Sequence, residues 1–350
     1  MENEMAHQIL ENMVYSFKVP MWHNLAKPSD IESSAVEILD RDFHGGFEIL
    51  LRPVTVEING EKQETGDFAL VRGKTSASDS KEVLFGYCSE RYKPLQPREI
   101  AQVYDFNVLK PVETMAFLQD GKDMFISFKM PSFEVVKDDE LNMFGIIRSG
   151  FDSLKGTSLF TSIYRPVCAN TLSMAANWAD QNTNGQGRGN VWNSKHVNKN
   201  LLRDLGYWTS FVVQDANRQA DLVQSLFAKL AKTPVKNDEE VHEILYEAFP
   251  IPVSLNEFYP KELKEEKMEK IEVERERLSG IRDGIYNLFS GGGTSITNDY
   301  YGIMNSTTEY FCHKMPSKKP IAASVMFGNR QKMTMQIIDV LKERVKVTNL

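Results

Sequence analysis

The chain has 350 residues, 41% hydrophobic and 10% aromatic, enough for a core in one large domain or two moderate ones. Its formal net charge is -7, which excludes a uniformly basic surface and leaves room only for a local basic groove. Three scattered cysteines without a CxxC pair exclude a disulfide scaffold. With no apolar run of bilayer length and no leader apparent, the expectation is a cytoplasmic protein that does not use a membrane.

In chain order, residues 1–24 read as an arm leading into MWHNLAKPSD, and 33–39 predict a short helix. GFEILLRPVTVEI predicts a strand, NGEKQETG a turn and FALVRGK a second strand. KEVLFGYCSERYKPLQ follows the SASDS loop as a third. The period changes at PREIAQVYDFNVLK. Pro97 suits a first helical turn, and Ile100, Val103 and Tyr104 share a face. TMAFLQDGKDMFISFKMP returns to strand character on both sides of a turn at 119–122. In YRPVCANTLSMA, Val167 and Cys168 are expected to close a buried strand. Residues 169–175 are expected to open a helix, with Asn170 or Thr171 capping it and Met174 packed inward.

Beyond Ala176 the composition shifts. Residues 181–203, QNTNGQGRGNVWNSKHVNKNLLR, contain no acid; the first half reads as loop and the second as an entry into helix. Helices are predicted over 216–232, where Leu222, Val223, Leu226, Phe227 and Leu230 form a stripe, and over 238–249. The charged run 261–289 carries an apolar face from Met268 to Leu288 and predicts a long helix. SGGG at 290–293 is its stop or hinge. Two more helices are predicted near 295–314 and 327–345. The fold class expected is α+β: an antiparallel, strand-rich N-terminal core with a helical C-terminal region. The division expected is a mixed core at 20–176, a basic loop or linker at 177–210, and a mainly helical part at 211–345 packed with the core as a composite.

Familiar chemistry is thin. Cys168 lacks the context of a nucleophilic thiol and reads as a packed side chain. His23, His44, His196, His242 and His313 make no metal motif, and neither RGK at 72–74, LKGTS at 154–158 nor SGGGTS at 290–295 completes a phosphate loop. No catalytic residue, cofactor or metal is assigned. The acid-free stretch has a stronger physical case: Arg188, Lys195, Lys199 and Arg203 would neutralise phosphates, and Trp192 would stack on a base. Arg148, Lys155 and Arg165 would extend that surface if the fold brings them together. The bland alternative for these residues is a solvated basic face.

Several blocks together resemble the DUF932 phage/plasmid-like family: MWHNL, LVRGK, LFGYCSERYKPLQPREI, ETMAFLQDGKDMFISFKMP, YRPVCANTLSMA, TSITNDYYGIMNSTTEYFCH and FGNRQKM. They cover most of 20–340, and Arg165, Cys168, Asn170 and Thr171 fall in the strongest block. The resemblance implies the biology of phages, plasmids and laterally transferred regions in a bacterial host, and supplies no reaction. By fold-level analogy, single-strand annealing proteins also use oligomeric α+β cores with basic grooves. The leading expectation is therefore a non-enzymatic protein that binds single-stranded DNA or RNA in replication or recombination, assembling as a homo-oligomer. One alternative is an interaction or anti-defence factor whose partner is a phage or host protein. The other is a metal-dependent enzyme acting on nucleic acid.

Overall fold

The computed structural model describes residues 9–18, 28–74, 81–165, 170–173, 192–250, 261–293, 297–316, 324–325 and 328–346. The strand-rich part comprises β1 (Ile9–Ser16), α1 (Ala35–Arg41), β2 (Ile49–Ile58), β3 (Glu61–Arg72), β4 (Val83–Ser89) and α2 (Pro97–Val108). It continues with β5 (Thr114–Leu118), β6 (Asp123–Lys129), β7 (Phe133–Glu134), β8 (Glu140–Gly150), β9 (Thr157–Arg165), β10 (Asn170–Ser173) and β11 (Trp192–Ser194). The helical part comprises α3 (Leu201–Gln214), α4 (Ala216–Ala231), α5 (Asp238–Ala248), α6 (Lys261–Asn287), α7 (Tyr300–Glu309) and α8 (Asn329–Arg344). The α+β class and its order, strands first and helices after, are as expected.

The large sheet runs β1-β5-β6-β8-β9-β10 with every pair antiparallel; β11 lies beside the first half of β9, and β7 pairs with β8. Its register draws one row across six strands: Tyr15, Met115, Ile126, Ile147, Leu159 and Trp192. Residues directly opposite in an antiparallel ladder point to the same face, and all six are buried in one continuous core. That core also holds Ile100 and Tyr104 of α2, Leu205 and Val212 of α3, Phe227 of α4, Ile285 of α6 and Leu341 of α8, so strands and helices share it.

Local chemistry explains the helix starts. Ser34 and Glu37 form a capping box on α1, and both carboxylate oxygens of Asp105, on α2, accept from the first-turn backbone N–H groups of Ala35 and Val36, which have no partner within the helix. Pro97 opens α2, Asn237 caps α5 and Asp299 caps α7. A π turn over Leu288–Gly292 ends α6, within the SGGG run.

Two local expectations are overturned. Residues 170–173 form strand β10, hairpin-paired with β9 (Asn170 opposite Arg165, Ser173 opposite Ser162), so the helix expected there does not form. β9 offers an unfilled edge ladder, which satisfies these backbone groups non-locally where a cap would have done so locally. Cys168 and Met174 lie outside the described residues. The predicted turn at 59–66 shrinks to Asn59–Gly60, both at positive φ as a two-residue hairpin turn requires. EKQETG instead builds the outer part of β3. The β2–β3 hairpin is consequently a projecting arm, and every residue of 55–67 is exposed. Its base is clamped by Gln96, which accepts from the Ile49 N–H (2.8 Å) and donates to the Ile49 carbonyl (3.1 Å).

Beside the six-residue row lies a buried polar knot. Ser149 and Thr157 face each other across β8 and β9, and His196 inserts beneath them at 2% exposure. His196 Nδ1 lies 2.7 Å from Tyr92 Oη, and Nε2 lies 3.0 Å from Thr157 Oγ1 and 3.4 Å from Ser149 Oγ. The Lys93 N–H donates to the His196 carbonyl. Burial pushes the imidazole down to about 4, against a smaller opposing pull from Asp152. The folded pKa is depressed, so the unfolded chain binds the extra proton between about pH 6.5 and about pH 4. Stability contributed by neutral His196 is complete above that window and falls through it as pH drops, by about 3 kcal/mol in all. Urea unfolding across this pH range will show that loss, and His196→Gln will flatten it. An unchanged slope in the variant would place the titration elsewhere.

Candidate nucleic-acid interface

The eight residues expected at a nucleic-acid surface separate sharply. Arg188 lies outside the described residues, and Arg165 is described only as the last backbone position of β9. Arg148 and Lys155 converge on Asp123, itself 1% exposed. Arg148 Nη2 donates to both carboxylate oxygens at 3.1 Å; Lys155 Nζ donates to Asp123 Oδ2 at 2.7 Å and to Gln119 Oε1 at 3.0 Å, and lies 3.3 Å from Asp152 Oδ2. These two cations are held by carboxylates within the fold. Trp192 is buried in the six-residue row opposite Leu159, at 8% exposure, so its ring is core and not an exposed stacking platform.

The remaining three form a group. Lys195 and Lys199 are exposed in the turn between β11 and α3, and Arg203 is exposed in the first turn of α3. The turn is tied down by Asn198: its backbone N–H donates to the Lys195 carbonyl, and its side-chain amide donates to Ser194 Oγ and Asp204 Oδ2. Arg203 lies 3.3 Å from Asp204, an exposed pair that leaves the guanidinium largely in water.

α3 continues this surface with aromatic residues. Leu201, Leu205 and Val212 bury one face, which leaves Arg203, Tyr207 and Phe211, spaced by four, on the opposite face. Tyr207 is 66% exposed. Trp208, packed against the core, meets Tyr207 and Phe211 edge-on at 5.5 and 5.7 Å between centroids, which fixes the orientation of both rings. Across from them α2 presents Phe106 and, just past its end, Leu109, each 82% exposed. Leu109 also sits in the left-handed region (φ 55), a position glycine usually takes. The helices approach closely at Gly206, where a Cβ would come within 3.2 Å of the Asn107 amide, and Ser210 Oγ donates to Asn107 Oδ1 at 2.8 Å.

The result is an open groove of about 610 Å³, lined by Gln102, Val103 and Phe106 of α2 and Arg203, Gly206 and Tyr207 of α3. Arg203, Phe106 and Tyr207 bring one cation and two exposed rings to it, Glu99 also lines it, and Lys195 and Lys199 lie in the turn that leads into α3. Sequence proximity singled out Trp192, which is buried. The signal that finds exposed rings is phase: Tyr207 and Phe211 share the side of α3 that Arg203 marks as solvent-facing.

Among the described residues, no group of three or more His, Cys, Asp or Glu is placed to hold a metal, and no helix is long and apolar enough to cross a membrane. The ion cluster at Asp123 generates its own expectation. Asp123→Ala leaves Arg148 and Lys155 without their shared counter-charge inside the sheet, and should cost about 3 kcal/mol in denaturant unfolding. A change under about 0.5 kcal/mol would mean that the cluster is effectively solvated.

Comparison with known proteins adds the family alone. No curated protein and no solved structure matches the chain. The model of the family described as "Domain of unknown function (DUF932)" matches residues 84–335, from β4 to the first half of α8 and including both walls of the groove. The chain belongs to the DUF932 family.

Proposed function

We propose that the α2/α3 groove binds single-stranded nucleic acid, and that the protein supports replication or recombination of a phage or plasmid as a binding factor. The observation that carries this reading is the line of Arg203, Tyr207 and Phe211 along one face of α3, faced by Phe106 and preceded by the turn that exposes Lys195 and Lys199. Single strands differ from duplexes in offering unstacked bases, and each base brings one phosphate. A binder without sequence preference needs aromatic faces at intervals and cations beside them. Tyr207, Phe211 and Phe106 supply the first; Lys195, Lys199 and Arg203 supply the second. The chain's net charge of -7 then works against non-specific attraction elsewhere on the surface. Arg148 and Lys155 keep a structural role here, so the proposal rests on three of the seven cations first considered, and on different aromatics.

Fluorescence anisotropy with a labelled single-stranded homopolymer, titrated over a salt series, tests it. Tyr207→Ala and Phe106→Ala should each weaken binding by about 1–3 kcal/mol, roughly five- to 150-fold, with fold and stability retained. Lys195→Ala, Lys199→Ala and Arg203→Ala should each lower the slope of log K against log salt by up to about 0.7. The wild type should prefer the single strand over duplex and over a base-free polyanion such as heparin. Equal affinity for heparin, or binding indifferent to Tyr207 and Phe106, overturns the reading.

A further inference from the structure

Among the described residues, no third strand pairs with the β2–β3 arm beyond Asp67. Its outer part, 55–67, is exposed throughout, and it carries two apolar side chains on one face, Val56 and Ile58, 43% and 46% exposed. A two-stranded ribbon with no third strand and no covering layer is marginal in water. The arm is also charged in one sense. Glu57, Glu61, Glu64 and Asp67 stand against Lys62, a net charge of -3. Glu61 lies opposite Ile58, so acid and apolar side chains occupy the same face.

The groove described above has the complementary chemistry. It offers exposed apolar surface at Phe106 and Tyr207, with Leu109 just past the end of α2, Arg203 in its lining, and Lys195 and Lys199 exposed in the turn before α3. Its own acids are engaged: Glu99 accepts from the Gln96 backbone, and Asp204 holds Asn198 and Arg203. The arm does not lie on its own molecule's groove, because its whole outer part faces solvent. Its base is fixed by Gln96 at the start of α2, whereas Phe106 is near the other end, ten residues or about 15 Å along the helix.

We infer that the acidic β2–β3 arm of one copy docks on the basic, aromatic α2/α3 face of a second copy, giving a head-to-tail homo-oligomer. Such a contact is heterologous: each copy offers an arm and a face, so association continues into a ring or an open chain. Val56 and Ile58 meet the rings with Glu61 on the same face beside the cations, while Glu57 and Glu64, on the other face, add to the negative field of the arm. The same face is the one assigned above to nucleic acid, so docking and strand binding compete. The docking itself does not require the nucleic-acid reading to hold.

A charge exchange tests the pairing. The arm variant carries Glu57→Lys, Glu61→Lys and Glu64→Lys; the face variant carries Lys195→Glu and Lys199→Glu. Sedimentation velocity over a concentration series should show the wild type associating, more weakly at higher salt. Each variant alone should associate at least about tenfold more weakly. Mixing them in equal amounts should restore a one-to-one species, because the reversed arm fits the reversed face. Circular dichroism confirms that each variant is folded. Val56→Ser with Ile58→Ser weakens docking without changing charge and provides a second probe. A wild type that is monomeric throughout, variants that associate like the wild type, or a mixture that stays monomeric overturns the inference. Anisotropy with the single-stranded homopolymer separates the two readings. If the arm variant binds the strand as well as or better than the wild type, the face is intact and the arm is its competitor. If no form binds the strand while the charge exchange succeeds, docking stands and the nucleic-acid reading fails.

Discussion

The placement of the groove depends on one buried knot of hydrogen bonds. His196 sits below the ladder between β8 and β9, with Ser149 and Thr157 on one ring nitrogen and Tyr92 on the other. A neutral imidazole carries one donor and one acceptor, and hydroxyls can take either role, so all four side chains are satisfied without water. The backbone of His196 adds a bond to Lys93. From this anchor the chain emerges as the turn bearing Lys195 and Lys199 and enters α3. The next turn of α3 buries Leu205 and then passes Gly206 against Asn107, which sets the distance between the groove walls. Removing the anchor would leave the exposed residues unchanged in chemistry and their common orientation unsupported.

Electrostatics selects which cations remain available for binding. A buried carboxylate such as Asp123 must be paired, and the strands nearest it supply Arg148 and the β8–β9 turn supplies Lys155. Those cations are committed to the fold, whereas Lys195, Lys199 and Arg203 lie beyond the sheet edge, where no buried carboxylate demands them. A cluster of exposed cations at the start of α3 therefore arises within a protein of net negative charge, without any unusual density of basic residues.

Most of the architecture was legible in the sequence because its signals are local. Pro97 and the 100/103/104 face predict α2; the leucine and phenylalanine stripe predicts α4; the Gln119–Lys122 turn joins β5 and β6 as expected. The failures share one physical cause. Residues 170–173 have capping chemistry, yet become a strand because β9 presents an open ladder nearby. EKQETG has turn composition, yet extends β3 because β2 is long enough to pair with it. Trp192 stands among cations and asparagines, yet is buried because its register with Leu159 places it on the core face. In each case a tertiary partner distant in sequence outweighed the local preference, and periodicity within a short window carries no information about that partner.

Leu109 brings these considerations together. A leucine in the left-handed region carries backbone strain of order 1 kcal/mol, and at 82% exposure it returns little of the burial that a leucine usually contributes. Phe106, three residues earlier, is equally exposed, and Tyr207 and Phe211 are oriented by Trp208 across the groove. One exposed apolar side chain requires no explanation; a facing set of them, two of which meet the half-buried Trp208 edge-on, does. Neither helix needs these side chains for its own packing, since α2 is anchored through Ile100, Ala101 and Tyr104, and α3 through Leu201, Leu205 and Val212. Their arrangement is therefore separable from folding, which is what the proposed binding role requires of them.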